Sequence, residues 1–310
     1  MHGKTARLKM KNIRLRDGKV FNPEGIEINA VLHCNMSCKS CAHLSPLFRK
    51  KNADLGMMRR YLEILSHSYH ASYVKIMGGE PLLNPNLLEL IKAAASSGIA
   101  DEILLTTNGT LLHKAPEELW EIIDSLELSL YPSRLPNEEK IESFKSKAAS
   151  HKVKLLINYY DNFRFSYSEK RNEDFPLVQD VYDTCKMAHF WHSHTVIDGW
   201  FFLCPQSVFI PQQGIAGGWN SEVDGLRISS EPGFVESLYK FLTRSQPLKA
   251  CEYCLGSVGK LHSHRELRRA DWRPLEKYED LVSREFLEVC RKDITTDDGC
   301  VRSSEIYLVE

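Results

Sequence analysis

The stretch that decides the reading is "HCNMSCKSCAHLSP", residues 33–46. It sets Cys34, Cys38 and Cys41 in a C-x3-C-x2-C spacing, directly after the strand-like run "GIEINAVLH" at 25–33. Three thiols are an odd number for a ligand set. A structural zinc site takes four ligands, and disulfides take pairs. Soft thiolates suit iron–sulfur clusters, and three of them on a four-iron cubane leave one iron open to bind a small molecule. Two plainer readings stand beside it: a distant fourth ligand that completes a zinc site, or three merely buried thiols.

The composition of the rest of the chain is that of a soluble globular protein. Its 310 residues are 43% hydrophobic and 26% charged, with 40 Lys and Arg against 41 Asp and Glu. Such a balance gives no global attraction to nucleic acid or to an anionic membrane. One local excess of positive charge lies at Lys4, Arg7, Lys9, Lys11, Arg14, Arg16 and Lys19, faced by Asp17, and reads as a solvated arm and edge hairpin. No apolar run approaches the ~18 residues of a membrane span, and no secretory leader is visible. Nine cysteines without a leader point to a reducing, cytoplasmic setting.

Strand and helix signals then alternate. "NIRLRDGKVF" reads as a hairpin around Asp17-Gly18. Strands follow at 25–33, 73–77, 101–107, 126–131 and 153–160, with helical patterns between them. This rhythm predicts a parallel sheet with right-handed crossovers and chemistry at the strand ends. Beyond about residue 170 the rhythm changes. "HTVIDGWFFLC" reads as a hairpin around Asp198-Gly199, residues 211–230 as loop, "EPGFVESLYKFLTRS" as helix, 278–292 as helix and the remainder as a polar tail. The expected units are 1–24 (basic arm and hairpin), 25–170 (core), 171–265 (a smaller domain) and 266–310 (helix and tail).

At this point the motifs carry a resemblance. Cys34-x3-Cys38-x2-Cys41 at the end of a first strand, followed one strand later by "MGGEP" at 77–81, resembles the radical S-adenosylmethionine (SAM) superfamily. The resemblance implies a partial (β/α)6 TIM-like barrel, a [4Fe–4S] cluster on Cys34, Cys38 and Cys41, and SAM on the open iron. It places Gly78, Gly79 and Glu80 at the SAM ammonium; glycines also let a backbone approach closely. Asn108 in "TTNG", Ser129 in "LSLYPS" and Asn158 on the fifth strand sit where relatives contact SAM, although strand-end capping explains each of them equally well. Relatives commonly carry aspartate where Tyr131 stands and an aromatic where Ser40 stands.

A second set, Cys185, Cys204, Cys251 and Cys254, with Gly199 in the hairpin, resembles the small α+β twitch/SPASM-type extension. There the four cysteines hold one auxiliary [4Fe–4S] cluster; a structural zinc is the competing reading. Cys290 and Cys300 read as ordinary thiols. His189, His192, His194, His262 and His264 read as surface or hairpin histidines. Trp191, Trp200, Phe201 and Phe202 read as packing around the auxiliary cluster. Tyr131, Arg134, Tyr159, Tyr160, Asp161 and Arg164 read as loop residues near the mouth of the pocket.

The implied activity is reductive cleavage of SAM to a 5′-deoxyadenosyl radical. That radical takes hydrogen from a small polyol, sugar or related metabolite, as in aminocyclitol-dehydrogenase-like twitch enzymes. The outcome would be oxidation, epimerisation or dehydration, with a flavodoxin or ferredoxin as electron donor. Radical modification of a peptide is the alternative, disfavoured because the 33 residues before Cys34 are too few for a leader-binding domain. A non-catalytic metal scaffold is a second alternative, and the "GGEP" stretch argues against it.

Overall fold

The computed structural model describes residues 13–215 and 217–308. Lys4, Arg7, Lys9 and Lys11 of the basic arm lie outside them. The strands are β1 Arg14–Arg16, β2 Lys19–Val31, β3 Tyr69–Gly78, β4 Ala100–Thr107, β5 Ser125–Leu130, β6 Lys154–Tyr160, β7 Asn162–Arg164, β8 His194–Ile197, β9 Trp200–Phe202, β10 Gly225–Arg227, β11 Leu261–Ser263 and β12 Val301–Tyr307. Asp17 and Gly18 both take positive φ (50° and 74°), as a type I′ turn requires, and β1 folds back on β2.

One ten-stranded sheet runs β10-β9-β8-β2-β3-β4-β5-β6-β12 with β1 beside β2. Strands β8, β2, β3, β4, β5 and β6 are mutually parallel neighbours. The protein is therefore α/β with a mostly parallel sheet, and the sheet stays open, edged by β10 and β12. The sixth parallel strand, β8, enters beside the first strand, whereas a simple progression would have set it beyond the fifth. The hairpin expected in the smaller domain thus continues the main sheet.

The crossovers are helices α1 Leu55–Ser66, α2 Leu87–Ser96, α3 Glu117–Glu121 and α4 Glu138–Ser150. Asp54 caps α1 by accepting from Met57 N at 2.8 Å, and Asn137 caps α4 by accepting from Lys140 N at 3.1 Å. Leu62, Leu65, Leu90, Ile91, Trp120 and Phe144 from these helices are buried in one core with the strands. Strand side chains alternate in direction. Ile26 and Ile28, Val74 and Ile76, and Leu126 and Leu128 go into that core, which leaves Glu27, Lys75 and Glu127 on the opposite, inner face. Burying each large aliphatic contributes about 2 kcal/mol.

Two sequence expectations change. The polar tail contains β12, which pairs antiparallel with β6 from Val301 to Tyr307; its alternating pattern was masked by serines. The 211–230 loop contains a short helix, Ser221–Asp224, and β10. Asp224 organises that region by accepting from Lys249 N (2.7 Å), Ala250 N (2.9 Å) and Trp219 Nε1 (3.1 Å).

Candidate active site and cysteine cavities

Strand β2 ends at Val31 and delivers the first cysteine loop. Cys34 and Cys41 are half-buried and Cys38 is buried. Met36 N donates to Cys34 Sγ at 3.4 Å. Burial pushes the Cys34 thiol up to about 12 despite that donor, and Cys41 and Glu80 add to the shift. Cys38 is raised by burial and then by Cys41 and Cys34. Thiols that raise one another this way face a common space, and a metal centre there would displace their protons.

A strap formed by residues 262–272 holds the loop from outside. Lys39 N donates to Arg265 O (2.8 Å) and Leu267 N to Ser37 O (2.9 Å). Ser37 N donates to Glu266 (3.0 Å), and Trp272 Nε1 to Cys38 O (2.8 Å). Arg134 binds Glu266 through both Nε and a terminal nitrogen (2.8 and 3.0 Å). Ser40 adopts φ 60°, uncommon for a residue with a Cβ, and its hydroxyl meets His262 Nε2 at 3.0 Å. The residue that departs from the family pattern thus ties the loop to β11.

The "GGEP" turn lies against the base of the same loop. A Cβ on Gly78 would stand 2.2 Å from Val31 O, and one on Gly79 would stand 2.0 Å from His33 O. The glycines therefore permit contact with the cysteine-loop backbone, sealed by Gly79 N to Val31 O and Glu80 N to His33 O (both 3.1 Å). Glu80 is buried and turned inward. Its carboxylate accepts from Thr107 Oγ1 (2.6 Å), Asn108 N (2.9 Å) and Leu82 N (3.1 Å). Burial pushes it up to about 7 against those donors. Glu80 is thus a brace between the ends of β3 and β4. Asn108 Nδ2 lies 2.9 Å from Asn35 Oδ1 and 3.7 Å from Cys34 Sγ.

A cavity of ≈ 750 Å³ opens inside the sheet, and the three cysteines, Gly78, Gly79, Asn108 and Ser129 all line it. Glu80 and Asn158 do not. Asn158 instead donates to Glu127 (3.3 Å) and accepts from Ser304 on β12 (2.6 Å). Tyr131, Tyr160 and Arg164 line the cavity. Tyr131 stacks on His264 at 5.0 Å, and burial holds its hydroxyl well above the usual range.

Sequence reasoning missed the charges in this cavity. Glu27 on β2 is in register with Lys75 on β3, and Lys75 Nζ reaches Glu127 of β5 at 2.8 Å. Burial works against the Lys75 ammonium, but Glu127 and Glu27 outweigh it and raise it. The signal was available: a charge at the centre of each of three apolar strands, "IEI", "VKI" and "LEL".

The second set converges as well. Cys185, Cys204, Cys251 and Cys254 all line one small cavity of ≈ 20 Å³ together with Val181, Leu203 and Leu248. Cys185 follows a helix at Phe175–Asp183, Cys204 follows β9, Cys251 lies in a short 3-10 turn at Lys249–Glu252 and Cys254 comes just after it. Gly256 N donates to Cys254 Sγ at 3.3 Å. Burial pushes the Cys204 thiol up to about 12, with Cys185 adding to it. Burial, then Cys254, Cys204 and Cys185, raise Cys251. Among the described residues no three His, Cys, Asp or Glu side chains converge tightly enough to hold a single metal ion.

Several expectations about the surroundings are corrected. His192, His194 and His264 are buried; His194 packs between Tyr69 and Phe201. Phe201 shares a core with Cys185, and Phe202 and Trp200 pack in the core that holds Cys254, although none of the three lines the four-cysteine cavity itself. Trp191 lines the large cavity, as does Cys300. Arg134 is committed to Glu266. Met187, Gln206 and Gly256 line both cavities, so a shared wall separates the two cysteine sets.

Comparison with known proteins places this geometry. Residues 28–131 match the family model of the radical SAM superfamily. A Methanocaldococcus jannaschii protein named as a glycyl-radical enzyme activating enzyme is 27% identical over 151 residues, covering 48% of this chain and 55% of the relative. The GTP 3′,8-cyclase of Helicobacter pylori is 32% identical over 96 residues, 30% of each protein. The chain thus spans about half or less of these relatives' length. A crystal structure of BtrN with S-adenosylmethionine and 2-DOIA aligns with a TM-score of 0.43 and 15% identity, over 72% of this chain and 82% of BtrN. That score is too low to carry an argument about function. Among the described residues no helix is long and apolar enough to cross a membrane.

Proposed function

We propose that the chain is a radical SAM enzyme acting on a small polyol, sugar or related metabolite, a reading supported by the match of residues 28–131 to the radical SAM family model. Its outcome would be oxidation, epimerisation or dehydration, aided by a second cluster. The observation that carries the reading is the pair of cavities. One is large and open and holds three cysteines. The other is apolar, holds four, and shares a wall with the first.

Cys34, Cys38 and Cys41 would hold a [4Fe–4S] centre, and Gly78, Gly79, Asn108 and Ser129 would border SAM. When bound, these groups would supply radical hydrogen-abstraction chemistry, and a second cluster held by Cys185, Cys204, Cys251 and Cys254 would supply an electron acceptor. A flavodoxin or ferredoxin is the fitting reductant. The chain's own residues orient and shield. The strap fixes the cysteine loop, and Glu80 fixes the two strand ends below it. Glu27 lines the cavity, where its carboxylate can take a proton lost from substrate.

The test is anaerobic reconstitution followed by dithionite and SAM. The reading expects methionine and 5′-deoxyadenosine in equal amounts. A protein loaded with iron and sulfide that leaves SAM intact would refute it.

A further inference from the structure

The cysteine loop has an outer side as well as an inner one. Cys34 lines the large cavity, and it also lines a second pocket of ≈ 450 Å³ with His33, Asn35, Leu83 and the exposed residues Lys50 and Asn52. Cys34 therefore stands between the chamber and the surface. The surface around it is basic. Arg49, Lys50, Arg265 and Arg269 are exposed and Lys39 is half-buried. None of these five cations forms an ion pair among the described residues.

Hydrogen bonds join these cations into one face. Lys39 N donates to Arg265 O, and Arg269 donates to Leu47 O, two residues before Arg49. The neighbouring acids Glu266, Asp271 and Asp198 are already matched, by Arg134, Arg268 and Lys51. Burial, and then Arg265, lower Lys39, and Glu276 offsets only part of that. Like charges held this close create a positive field that lacks an anion. The excess is local, since the whole chain has 40 Lys and Arg against 41 Asp and Glu. The four-cysteine set has different surroundings. Exposed Glu173, Asp174 and Asp183 flank or end the helix that leads to Cys185, and Arg171 there is paired with Glu252.

We propose that this basic face docks a small acidic protein that carries one electron, and that the electron enters at Cys34, Cys38 and Cys41, not at the four-cysteine set. The inference rests on reading the three cysteines as ligands of an iron–sulfur centre, and it assigns the place where the reductant binds. In the step, the reduced carrier loses one electron and the centre on the three cysteines gains it; no bond is made or broken. Electron transfer weakens steeply with distance. A carrier seated over the strap and the outer pocket has only the loop between itself and the ligands. Complementary charge supplies encounter rate and orientation, and the contact is of the small, short-lived kind that redox partners make. A nucleic acid would meet the same charge, but it has no use for nearness to the cysteines.

The experiment uses the anaerobically reconstituted protein and two probes, an acidic flavodoxin and an acidic two-iron ferredoxin, with binding read by calorimetry. At least one should bind, and its affinity should fall about tenfold or more between about 0.05 and 0.5 M salt. Arg49→Glu, Lys50→Glu and Arg265→Glu together should weaken that binding about tenfold or more. Their exposed side chains make no bond among the described residues, so the fold should hold. Lys249→Glu, an exposed reversal beside Cys251, should leave binding unchanged. No binding by either carrier, binding indifferent to salt or to the triple reversal, an equal loss in Lys249→Glu, or tighter binding of a random-sequence oligonucleotide would overturn the proposal. The wild-type salt series stands on its own if the triple variant fails to fold. Dithionite needs no docking face, so SAM cleavage driven by it is measured separately. Cleavage by dithionite without salt-sensitive carrier binding refutes this inference and leaves the radical SAM reading standing, whereas wild-type protein that never cleaves SAM refutes that reading instead.

Discussion

The two cysteine sets differ in their surroundings more than in their chemistry. Cys34 and Cys41 are half-buried on a loop held from outside by a strap, beside a cavity of ≈ 750 Å³. Cys185, Cys204 and Cys254 are buried, and with Cys251 they ring a space of only ≈ 20 Å³ lined mostly by aliphatic side chains. An incomplete ligand set has use for an open chamber, whereas a complete one is best kept dry. Under the proposed reading, ligand count and solvent access go together.

The largest expected effect breaks one half of that contrast. Replacing Cys34, Cys38 and Cys41 together by alanine should abolish SAM cleavage and remove about half of roughly eight irons, read by product assay and iron analysis. Cleavage that persists in this variant would sink the assignment. Breaking the other half should do something different. With Cys251 and Cys254 replaced by alanine, about half the iron should again be lost, yet SAM cleavage should stay within about tenfold of wild type, the scale of a small change in positioning. Equal loss of cleavage in both variants would erase the distinction.

A subtler change sharpens it. Gly79→Ala puts a Cβ 2.0 Å from His33 O, which must push the cysteine loop off β3. Overpacking of this kind costs about 1–3 kcal/mol. SAM cleavage should fall about tenfold or more, while iron held by the second set is retained. Unchanged melting and activity would show that the turn does not position the loop.

The smallest effect concerns the seam between the regions. His194 on β8 is in register with Ile26 on β2 and meets Tyr69 Oη at 2.9 Å. Burial, and then His192, hold its imidazole well below 6.5. The native state therefore stays neutral there while the unfolded chain takes up a proton as pH falls through about 6.5. Stability from this group is present above that pH and lost below it, at up to about 1.4 kcal/mol per pH unit. Urea midpoints at pH 7.5 and 5.5 should differ less in His194→Asn than in wild type; an identical difference would contradict the sign.

Much of the parallel sheet was legible because its strands are short apolar runs with turn residues between them. Both cysteine sets were legible from spacing. Three features were not. β12 hides its partner because serines at 303 and 304 weaken the alternation. The strap depends on backbone bonds between residues some 230 positions apart, such as Ser37 and Leu267, and backbone groups carry no sequence signal. The direction of Glu80 depended on where β4 ends, because its partners are Thr107 and Asn108. The inner charges were visible as letters, but only the register of β2, β3 and β5 shows that they share one cavity.

The most direct measurement is electron paramagnetic resonance of the dithionite-reduced protein, with and without SAM. Two [4Fe–4S]⁺ signals are expected. Only one should change when SAM is added, and that one should be missing from the Cys34, Cys38 and Cys41 variant. A single signal, or two signals that both ignore SAM, would contradict the division of labour between the open and the closed cysteine sets.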